Sequence, residues 1–584
     1  MRAPRHCARR PLLWLAITLL ATNAVAADEV DPPSRAVRLA FASGTVSFEP
    51  AGTGDWVAPA LNQPLTSGDQ LWCDSDGRAE LQLDGSALRV AANTAISFLN
   101  LADNITQVQL SSGTLILRVR RLNDQETFEV DTPNLAFSVL RPGLYRLSVD
   151  PSGNSTVVTV HSGQGEVTGG GVAYPVYPNE NDIFSGTGQL VENSQPLAAA
   201  DAFDAWSADL DNRWDHSLSA RYVPVDVVGY GDLDGYGAWE TAPEYGAVWF
   251  PRGLQPGWAP YRTGHWVWVE PWGYTWVDDS PWGFAPFHYG RWVWLHGGWG
   301  WIPPPPGPVY VPTVYAPALV AWVGIGAGVA WFALGPREVF VPSYPVSRTY
   351  LSNINISNTT VNTTVVNNVY NTTIVSGTVT NVTYVNRTVP GAVVATSTQA
   401  FTSAQPVARN ILTPDSRALA NARLQPTAPA LVPTREAVLG TQRVGARTPP
   451  VAIQHRAVVA RTAPPPAPVP FEQRQAAIRS NGGRPLSLAQ VRQISTSAAR
   501  VTPVRIAPPP HLVAMRATPH PAAGAASASG RAPPPRPESA ARAPAEALPR
   551  PAEPAAAARP VHPSEAPPPP RPPSPSTAES VLER

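Results

Sequence analysis

Apolar and polar residues alternate along residues 36–190, where one apolar side chain recurs at every second position. Residues 36–50, AVRLAFASGTVSFEP, show this pattern on both sides of Ser43-Gly44, and similar alternation surrounds Asp84-Gly85 and Ser112-Gly113. A period of two is typical of strands, and glycine-containing pairs at this spacing are typical of turns. The pattern therefore predicts an all-β domain, built as a sandwich, a barrel or a β-helix-like stack.

The period changes in residues 198–218, where large apolar residues recur three or four positions apart. These residues are Phe203, Trp206, Leu210 and Trp214, and acidic residues occupy the other face. Such spacing is typical of an amphipathic helix. We therefore expect one connecting helix between the first domain and the following segment.

Residues 222–345 are rich in tryptophan and glycine, and ten of the chain's 19 tryptophans lie between Trp258 and Trp301. Residues 264–277 and residues 290–303 repeat one arrangement 26 positions apart. Tryptophans two positions apart share one face of a strand, and the glycine turns return the chain. The block predicts duplicated β-hairpins in an antiparallel β domain, with tryptophans opposed across each hairpin.

The tryptophans of this block divide by their position in the predicted hairpins. Those on the outgoing strands are predicted to enter the core: Trp266, Trp268, Trp292 and Trp294. Those at turns are predicted to be exposed, as candidate ligand-stacking residues: Trp272, Trp282 and Trp299. A core of rings alone and a core with an added recognition surface both fit this composition.

Three further segments differ in composition. Residues 318–334 are apolar throughout but shorter than the 20 or so residues of a membrane helix, so they predict a buried hairpin around Gly324–Gly328, with a membrane-inserted helix pair as the alternative. Residues 346–405, rich in Asn, Thr and Val, predict an extended segment, as a β stack, a strand extension or a stalk. Residues 411–584 contain 35 of the 68 prolines and predict a disordered tail.

The zero net charge of the chain hides a division between its two parts. Residues 27–410 contain 18 arginines and 34 acidic residues, a net charge of −16, whereas the residues after 410 contain 21 arginines and nine acidic residues, a net charge of +12. A basic tail beside an acidic body predicts contact with anionic envelope polymers or with the body itself. A spacer without a partner is the alternative.

The first 26 residues predict a cleavable secretory signal, with four arginines, an apolar run over residues 12–20 and the sequence Ala24-Val25-Ala26. An uncleaved anchor is the alternative. Cys7 lies in this segment, so the mature chain keeps only Cys73 and forms no internal disulfide. We expect a structural thiol at Cys73 and an exported protein in the periplasm or cell envelope of a Gram-negative bacterium.

The order of motifs in the first domain is similar to that of the FecR-like domain. These motifs include PLTSGD at 64–69, AELQLDGS at 79–86, FEVDTP at 128–133 and GLY at 143–145. The resemblance implies a periplasmic β-rich domain that, in the best-known members, helps transmit an outer-membrane siderophore signal to a sigma factor. Those regulators have a membrane helix before the domain, whereas this chain has only the predicted signal sequence.

The tryptophan block also resembles a known family. The motifs GDLDGYGAW, PEYGAVWFP and WAPYRTGHW resemble a tryptophan-rich domain of unknown function that often follows a FecR-like domain in secreted bacterial proteins. The resemblance implies an architecture and no site. The expected fold is therefore mainly β: a FecR-like β domain, a connecting helix, a Trp/Gly-rich antiparallel β domain and a long disordered C-terminal tail.

Catalytic templates are absent, including G-x-S-x-G, H-E-x-x-H, the P-loop and C-x-x-C. Three histidines in the tryptophan block, His265, His288 and His296, are more typical of turns than of a metal site. Asp278-Asp279 would suit paired carboxylates, although solvated turn residues have the same pattern. The sequence therefore predicts a protein that is not an enzyme, with no cofactor and no bound metal.

The leading hypothesis is a noncatalytic exported envelope protein that acts as a binding or scaffold module. Its expected partners are envelope polysaccharide, peptidoglycan or an envelope protein, with no nucleic acid and no stable transmembrane span. Two alternatives remain: a periplasmic sensory component of FecR-like signalling, and a glycan-active enzyme that uses the Asp278-Asp279 region.

Overall fold

The computed structural model of the chain describes residues 30–305, 312–326, 328–375, 383–415, 419, 422–425, 427–440, 445–495 and 503–512. These residues form a mainly β protein with several antiparallel sheets and short helices, as the sequence predicts. The predicted signal sequence, residues 1–26, lies outside the described residues, as do residues 513–584 of the predicted tail.

The first domain contains fourteen strands in its described residues. They are β1 Val37–Ser43, β2 Val46–Glu49, β3 Pro64–Leu65, β4 Gln70–Cys73, β5 Arg78–Leu83, β6 Ser86–Val90, β7 Thr94–Ala102, β8 Ile105–Val119, β9 Thr127–Asp131, β10 Ala136–Val149, β11 Ser155–Gly169, β12 Val172–Val176, β13 Glu180–Ser185 and β14 Val191–Gln195. All join one continuous, mainly antiparallel sheet, in which β8 and β9 pair in parallel. The turn at Asp84-Gly85 connects β5 to β6, as predicted.

The predicted turn at Ser112-Gly113 is wrong, because β8 passes through it as one strand. Residues before the bend pair with β7, and residues after it pair with β6 and β10. Gly113 has a φ of 85°, and a Cβ there would overlap the side chain of Thr94. A glycine in this conformation bends the strand without reversing it. Each long strand can therefore contribute to two parts of the sheet.

The interior of the first domain is filled by the residues that alternate with polar positions in the sequence. Leu88 lies opposite Leu117, and Leu147 lies opposite Leu115, all four fully buried. Such opposed aliphatic pairs are the main source of sheet stability. Cys73 is buried among them as a free thiol, and burial raises its pKa above the usual range.

Helix α1, Ala202–Asp215, lies inside the predicted range and begins at a capping box formed by Asp201 and Asp204. It packs against the first domain, where Arg89 pairs with Asp211 at 2.8 Å and Arg146 pairs with Asp204 at 2.7 Å. At its last turn, Trp214 Nε1 donates to the hydroxyl of Tyr230 at 2.9 Å, which connects the helix to the next domain.

The tryptophan domain begins with 3-10 turns at Leu218–Arg221 and Tyr230–Asp232. Its further elements are α2 Leu233–Tyr236, β15 Gly237–Ala242, β16 Gly246–Pro251, β17 Gly264–Val269, β18 Gly273–Asp278, α3 Ala285–His288, β19 Arg291–Leu295, β20 Gly298–Ile302, β21 Val320–Val323 and β22 Val329–Ala333. The two repeated hairpins form, but in different sheets. β17 and β18 stand as a pair, whereas β19 and β20 join β15 and β16 in a four-stranded sheet.

Opposed tryptophans connect the strands of these hairpins, as the repeat predicts. Trp266 lies opposite Trp276, Trp292 opposite Trp301, and Trp294 opposite Trp299. The rings of Trp266 and Trp276 meet edge to face with their centroids 5.4 Å apart, and those of Trp294 and Trp299 also meet edge to face. Edge-to-face pairs of this kind add stability beyond the area that they bury.

The apolar stretch of residues 318–334 forms the predicted hairpin. β21 and β22 pair antiparallel with Trp322 opposite Trp331, and all their residues are buried. None of the helices in the described residues is both long enough and apolar enough to cross a membrane.

The predicted extended conformation of residues 346–405 is wrong for most of the described segment, which is largely helical. Its elements are α4 Arg348–Ile356, α5 Thr363–Val369, a π-helical turn Tyr370–Val375, a 3-10 turn Asn386–Thr388, β23 Val394–Thr396 and α6 Thr398–Thr402. Side chains of Ser347 and Asn362 cap the first two helices, and Leu351 and Ile354 are fully buried one turn apart. Capping and burial override the β preference of Val, Ile and Thr.

Described residues of the predicted tail are folded as far as residue 512, which corrects the boundary of 411–584. The elements are β24 Leu424–Gln425, α7 Arg435–Leu439, α8 Val451–Gln454, β25 Val458–Ala460, α9 Phe471–Ser480, α10 Leu488–Ile494, β26 Val504–Ile506 and β27 His511–Leu512. β24 pairs with β21 of the tryptophan domain, and β27 pairs with β12 of the first domain. This part of the chain folds because it pairs with strands of the body and forms ion pairs with its acidic groups.

Candidate functional site

A cleft of about 760 Å³ lies where three parts of the chain meet. The first domain supplies residues 48–52, 66–70 and 97–102, the β17–β18 hairpin supplies residues 268–271, and the C-terminal segment supplies residues 465–474. A cleft of this size, with apolar walls and a few polar groups, is typical of ligand sites at domain junctions. The sequence did not indicate it, because its walls are distant along the chain.

Two carboxyl groups of the first domain line the cleft. Asp69 accepts hydrogen bonds from the backbone N–H groups of Ala51, at 2.8 Å, and Thr66, at 2.7 Å. Glu49 accepts a hydrogen bond from Gln70 Nε2 at 2.9 Å. Burial raises the pKa of both carboxyl groups to about 7. Both groups therefore have partners within the protein, and they hold the loops of the cleft wall in place.

The C-terminal segment contributes a buried arginine to the cleft. Arg474 is 7% exposed, donates through Nη2 to the carbonyl of Ala51, and lies 3.6 Å from Glu270. Arg474 Nε and Trp268 Nε1 are buried N–H donors without a hydrogen-bond partner in the described part of the chain. Unpartnered buried donors are costly and call for an acceptor. Protein atoms cover both of these N–H groups, whereas the exposed side chains of Gln473 and Arg492, which also line the cleft, can donate to oxygen acceptors of a ligand.

The turn tryptophans are buried, so the prediction that they are exposed is wrong. Trp272 is 0% exposed, and Trp282 and Trp299 are each 4% exposed. Trp272 packs against Tyr315, whose ring centroid is 4.9 Å away, and Trp282 packs edge to face against Trp249 at 5.0 Å. Segments distant in sequence cover these turns. The rings have no free face for a ligand to stack on.

The exposed ring is instead Trp294, which the alternation placed in the core. It is 39% exposed, whereas Trp266, Trp268 and Trp292 are buried as predicted. Trp294 belongs to β19, at the edge of the four-stranded sheet, and it packs edge to face against Trp299. Trp292, two positions away on the same strand, packs against Trp258 and Trp282, so the cover from other segments, rather than strand periodicity, decides which ring is exposed.

The neighbouring aspartates of the tryptophan domain do not act as a pair. Asp278 is 1% exposed and accepts hydrogen bonds from Trp276 Nε1, at 3.1 Å, and from the Ser280 N–H, at 2.9 Å. Asp279 is 54% exposed and lies 3.8 Å from His265. One carboxyl group braces the turn and the other faces solvent. Paired-carboxylate hydrolysis needs both groups in one site.

Asp278 is expected to make stability depend on pH, because burial raises its pKa from 3.8 to about 7. A folded pKa above the unfolded pKa stabilises the protein below pH 4, and this stabilisation is lost as the pH rises to 7. The loss is on the order of 3 kcal/mol. Denaturant unfolding at pH 4 and pH 7 should show a smaller loss for Asp278→Asn than for the parent chain. Asp279→Asn is the matched control, and an equal change in both variants would contradict this assignment.

His288 and His265 of the tryptophan block have different surroundings. His288 is fully buried, its Nδ1 lies 2.7 Å from the carbonyl of Ala316, and burial lowers its pKa to about 3. His265 is close to Asp279 instead. The described residues contain no group of three or more His, Cys, Asp or Glu side chains placed to hold a metal ion.

Two family models match the chain in separate regions. Residues 69–165 match the model described as FecR protein, and residues 230–338 match the model described as a family of unknown function, DUF6600. The chain combines a FecR-like domain with a DUF6600 domain. The cleft therefore has one wall from the first domain, partly within the FecR match, and one from a DUF6600 hairpin, whereas Glu49 and Arg474 lie outside both matched regions.

Part of the chain is also similar to solved structures. Two crystal structures of a "putative anti-sigma factor" from Parabacteroides distasonis ATCC 8503 align with 20% and 18% sequence identity. Each alignment has a TM-score of 0.20 and covers 28% of this chain, with 72% and 73% of the other chains. None of the curated proteins matches the chain. A TM-score this low adds nothing to the functional argument.

Sequence reasoning missed most residues of the cleft. Asp69 lies in the PLTSGD motif of the FecR-like domain, so a signal for it was present. Glu49 and Arg474 lie in segments of ordinary composition, and Arg474 falls in a region predicted to be disordered. Residues 474 and 51 are in contact although more than 400 positions separate them. Local patterns cannot reveal such a contact.

Proposed function

We propose that the protein is a noncatalytic, exported binding module of the cell envelope and that its ligand enters the cleft. The observation behind this proposal is the cleft itself, about 760 Å³ in volume, at the junction of the FecR-like domain, the DUF6600 hairpin and the C-terminal segment. Volumes of 300–1,000 Å³ are usual for small-molecule sites. A ligand that contacts all three parts would also stabilise their arrangement.

The chemistry of the walls favours a ligand that is partly apolar and has oxygen acceptors. Phe48, Trp268 and Phe471 supply apolar surface, and the exposed side chains of Gln473 and Arg492 supply N–H donors. A sugar or a peptide has both properties. Envelope polysaccharide, peptidoglycan and envelope proteins are therefore the partners that we propose.

The noncatalytic role is supported by the engagement of the acidic groups. Asp69 and Glu49 both accept hydrogen bonds from the protein, and Asp278 is buried behind its own partners. A general acid or base must reach the reacting atoms of a substrate. Each of these carboxyl groups is held by hydrogen bonds from the protein, so a binding role fits their contacts better than hydrolysis.

Filling the cleft is expected to abolish ligand retention. Ser97 lines the cleft from β7, and Ser97→Trp would place an indole ring there. Ser194→Trp is the matched control, because Ser194 is exposed on β14, away from the cleft. The full chain should be retained on peptidoglycan, lipopolysaccharide or an envelope-protein extract, with at least a tenfold loss for Ser97→Trp only. No retention of the parent chain on any of them, or equal retention of both folded variants, would refute the cleft as the site.

A second candidate function is a sensory component of FecR-like signalling. The match of residues 69–165 to the FecR model supports it. In this role the cleft would bind a segment of an outer-membrane receptor, and this binding would change the activity of a sigma factor. Deleting the gene and measuring sigma-dependent transcription tests the idea. Unchanged transcription with and without inducing ligand would end it.

A further inference from the structure

Two adjacent carboxyl groups of the FecR-like domain are completely buried on one face of β9. Glu129 and Asp131 are both 0% exposed, two positions apart on the strand. Both lie in the FEVDTP motif of the sequence. Burying two acids side by side is costly unless each has partners. Burial, followed by the nearby Glu129 charge, raises the pKa of Asp131 well above its usual range.

The partners of Glu129 come from the C-terminal segment and not from the FecR-like domain alone. The N–H groups of Arg461 and Thr462 donate to Glu129 Oε1 at 2.8 Å and 3.0 Å, and the Thr462 hydroxyl donates to Oε2 at 2.7 Å. Gln107 Nε2 donates to Asp131 at 2.9 Å and to the Thr462 carbonyl at 2.8 Å. The Glu129 carboxylate and the Gln107 amide of the domain thus bind backbone groups of the segment.

Contacts on either side of Glu129 extend this recognition along the segment. The Val459 N–H donates to the Thr132 carbonyl at 2.8 Å, which adds a β-bridge to the sheet. The Arg461 guanidinium pairs with Glu166 at 2.6 Å. Arg456 donates to the carbonyls of Ser111, at 2.9 Å, and Pro151, at 2.8 Å. Backbone pairing and arginine contacts together resemble recognition by β-strand addition. We call residues 456–474 the strap.

Residues 463–470 of the strap lie extended along the cleft wall, before helix α9 begins at Phe471. Ala467, Val469 and Phe471 are buried, whereas the prolines between them are exposed. The Phe471 N–H donates to the Gly52 carbonyl at 2.9 Å. Gly52 has a φ of 68°, and a Cβ there would overlap the Val469 carbonyl, so glycine permits this close approach. Alternate side chains of the strap therefore enter the domain surface.

We propose that this face of the FecR-like domain is a docking surface for an extended segment of a partner protein, and that the strap occupies it as an internal competitor. The partner segment has small side chains, a Ser or Thr hydroxyl, an arginine and downstream prolines, because these groups make the contacts described above. The acidic body, with a net charge of −16 over residues 27–410, favours an arginine-bearing segment. Contacts with backbone N–H groups do not depend on side-chain identity, so the surface can bind other segments of this type.

The strap must be loosened before a free peptide can compete, because an attached segment acts at an effective concentration of about 1 mM or more. Arg461→Pro with Thr462→Pro removes both N–H donors to Glu129 and the Arg461 pair with Glu166, and it leaves the FecR-like domain unchanged. The probe is a fluorescent synthetic peptide of residues 456–474. Its anisotropy is measured with the full-length parent chain and the full-length double variant.

We expect the double variant to bind the peptide at least tenfold more tightly than the parent chain. A peptide with the same two prolines should bind at least tenfold more weakly than the natural peptide. Adding Glu129→Gln to the double variant should also weaken binding at least tenfold, because the amide group faces N–H donors. Circular dichroism checks that each variant is folded. If the double variant is unfolded, Arg461→Glu is used instead, because it keeps both N–H groups and opposes Glu166 with like charge.

Equal peptide binding by the folded parent and the folded loosened chain would overturn the proposal. Binding of the two-proline peptide as tightly as the natural one would overturn it as well. If the parent chain forms a dimer and the free peptide dissociates it, the occupant of the surface is a second copy of this chain. That result would overturn the proposal of a partner protein. The peptide experiment and the retention experiment with Ser97→Trp are separate measurements. The docking proposal can therefore fail while the proposed function stands.

Discussion

Replacing Trp266 with alanine is expected to lower the free energy of unfolding by about 4 kcal/mol. The ring is 1% exposed and lies within 5.5 Å, centroid to centroid, of four aromatic neighbours: Trp276 at 5.4 Å, Trp322 at 5.0 Å, Trp331 at 5.2 Å and Phe401 at 5.4 Å. Its indole N–H has no partner in the described residues, so the loss comes from packing alone. The neighbours belong to three different segments, which limits collapse into the cavity.

Trp294→Ala is the matched control, because Trp294 is also in a hairpin strand but is 39% exposed. We expect this variant to lose less than about 1.5 kcal/mol, since its ring keeps mainly the contact with Trp299. Both values come from urea unfolding followed by tryptophan fluorescence, with circular dichroism as a second probe. Similar losses in the two variants would show that the ring cluster around Trp266 is not the main core of the DUF6600 domain.

Replacing Arg38 with methionine is expected to cost about 3 kcal/mol and to uncouple the two domains. Arg38 is 1% exposed in the FecR-like domain and donates through Nε to Asn62 at 2.9 Å. Its other nitrogens pair with Asp232 at 2.5 Å and donate to the Pro281 carbonyl at 2.9 Å, both in the DUF6600 domain. Methionine fills the volume but leaves the Asn62 and Pro281 oxygens without their donor, and an unpaired buried acceptor is costly.

Calorimetry separates this effect from a general loss of stability. We expect one main unfolding transition in the parent chain and two in Arg38→Met, because the variant removes the charged contact that connects the domains. Arg78→Met is the control: Arg78 is exposed on β5, with its guanidinium 4.9 Å from the Trp206 ring, so its loss should cost less than about 1 kcal/mol. A single unshifted transition in Arg38→Met would contradict the coupling role.

The local patterns of the sequence predicted much of the FecR-like domain and of the repeated hairpins. Alternation over residues 36–190 identified strands because one face of each strand is buried, and the Asp84-Gly85 turn follows from two positions with positive φ. The pairing of Trp266 with Trp276 follows from the spacing of a tight hairpin. These features depend on residues within about ten positions of one another.

Features that depend on contact between distant segments were not predicted. The composition of the strap predicts disordered chain because it cannot form a core of its own, yet Thr462 and Glu129 are 333 positions apart and in contact. The helices of residues 346–405 form in a β-branched sequence because their buried faces meet the tryptophan domain. Tertiary context overrides intrinsic preference in both segments.

The sequence by itself determined the β character of both domains, the opposition of tryptophans in each hairpin and the buried thiol, because periodicity and turn chemistry act over short distances. The tertiary structure alone decided that Trp272, Trp282 and Trp299 are covered while Trp294 is exposed. It also decided that the basic segment lies on the acidic body and forms one wall of the cleft. Exposure and charge pairing depend on which surfaces meet, and that is a property of the whole fold.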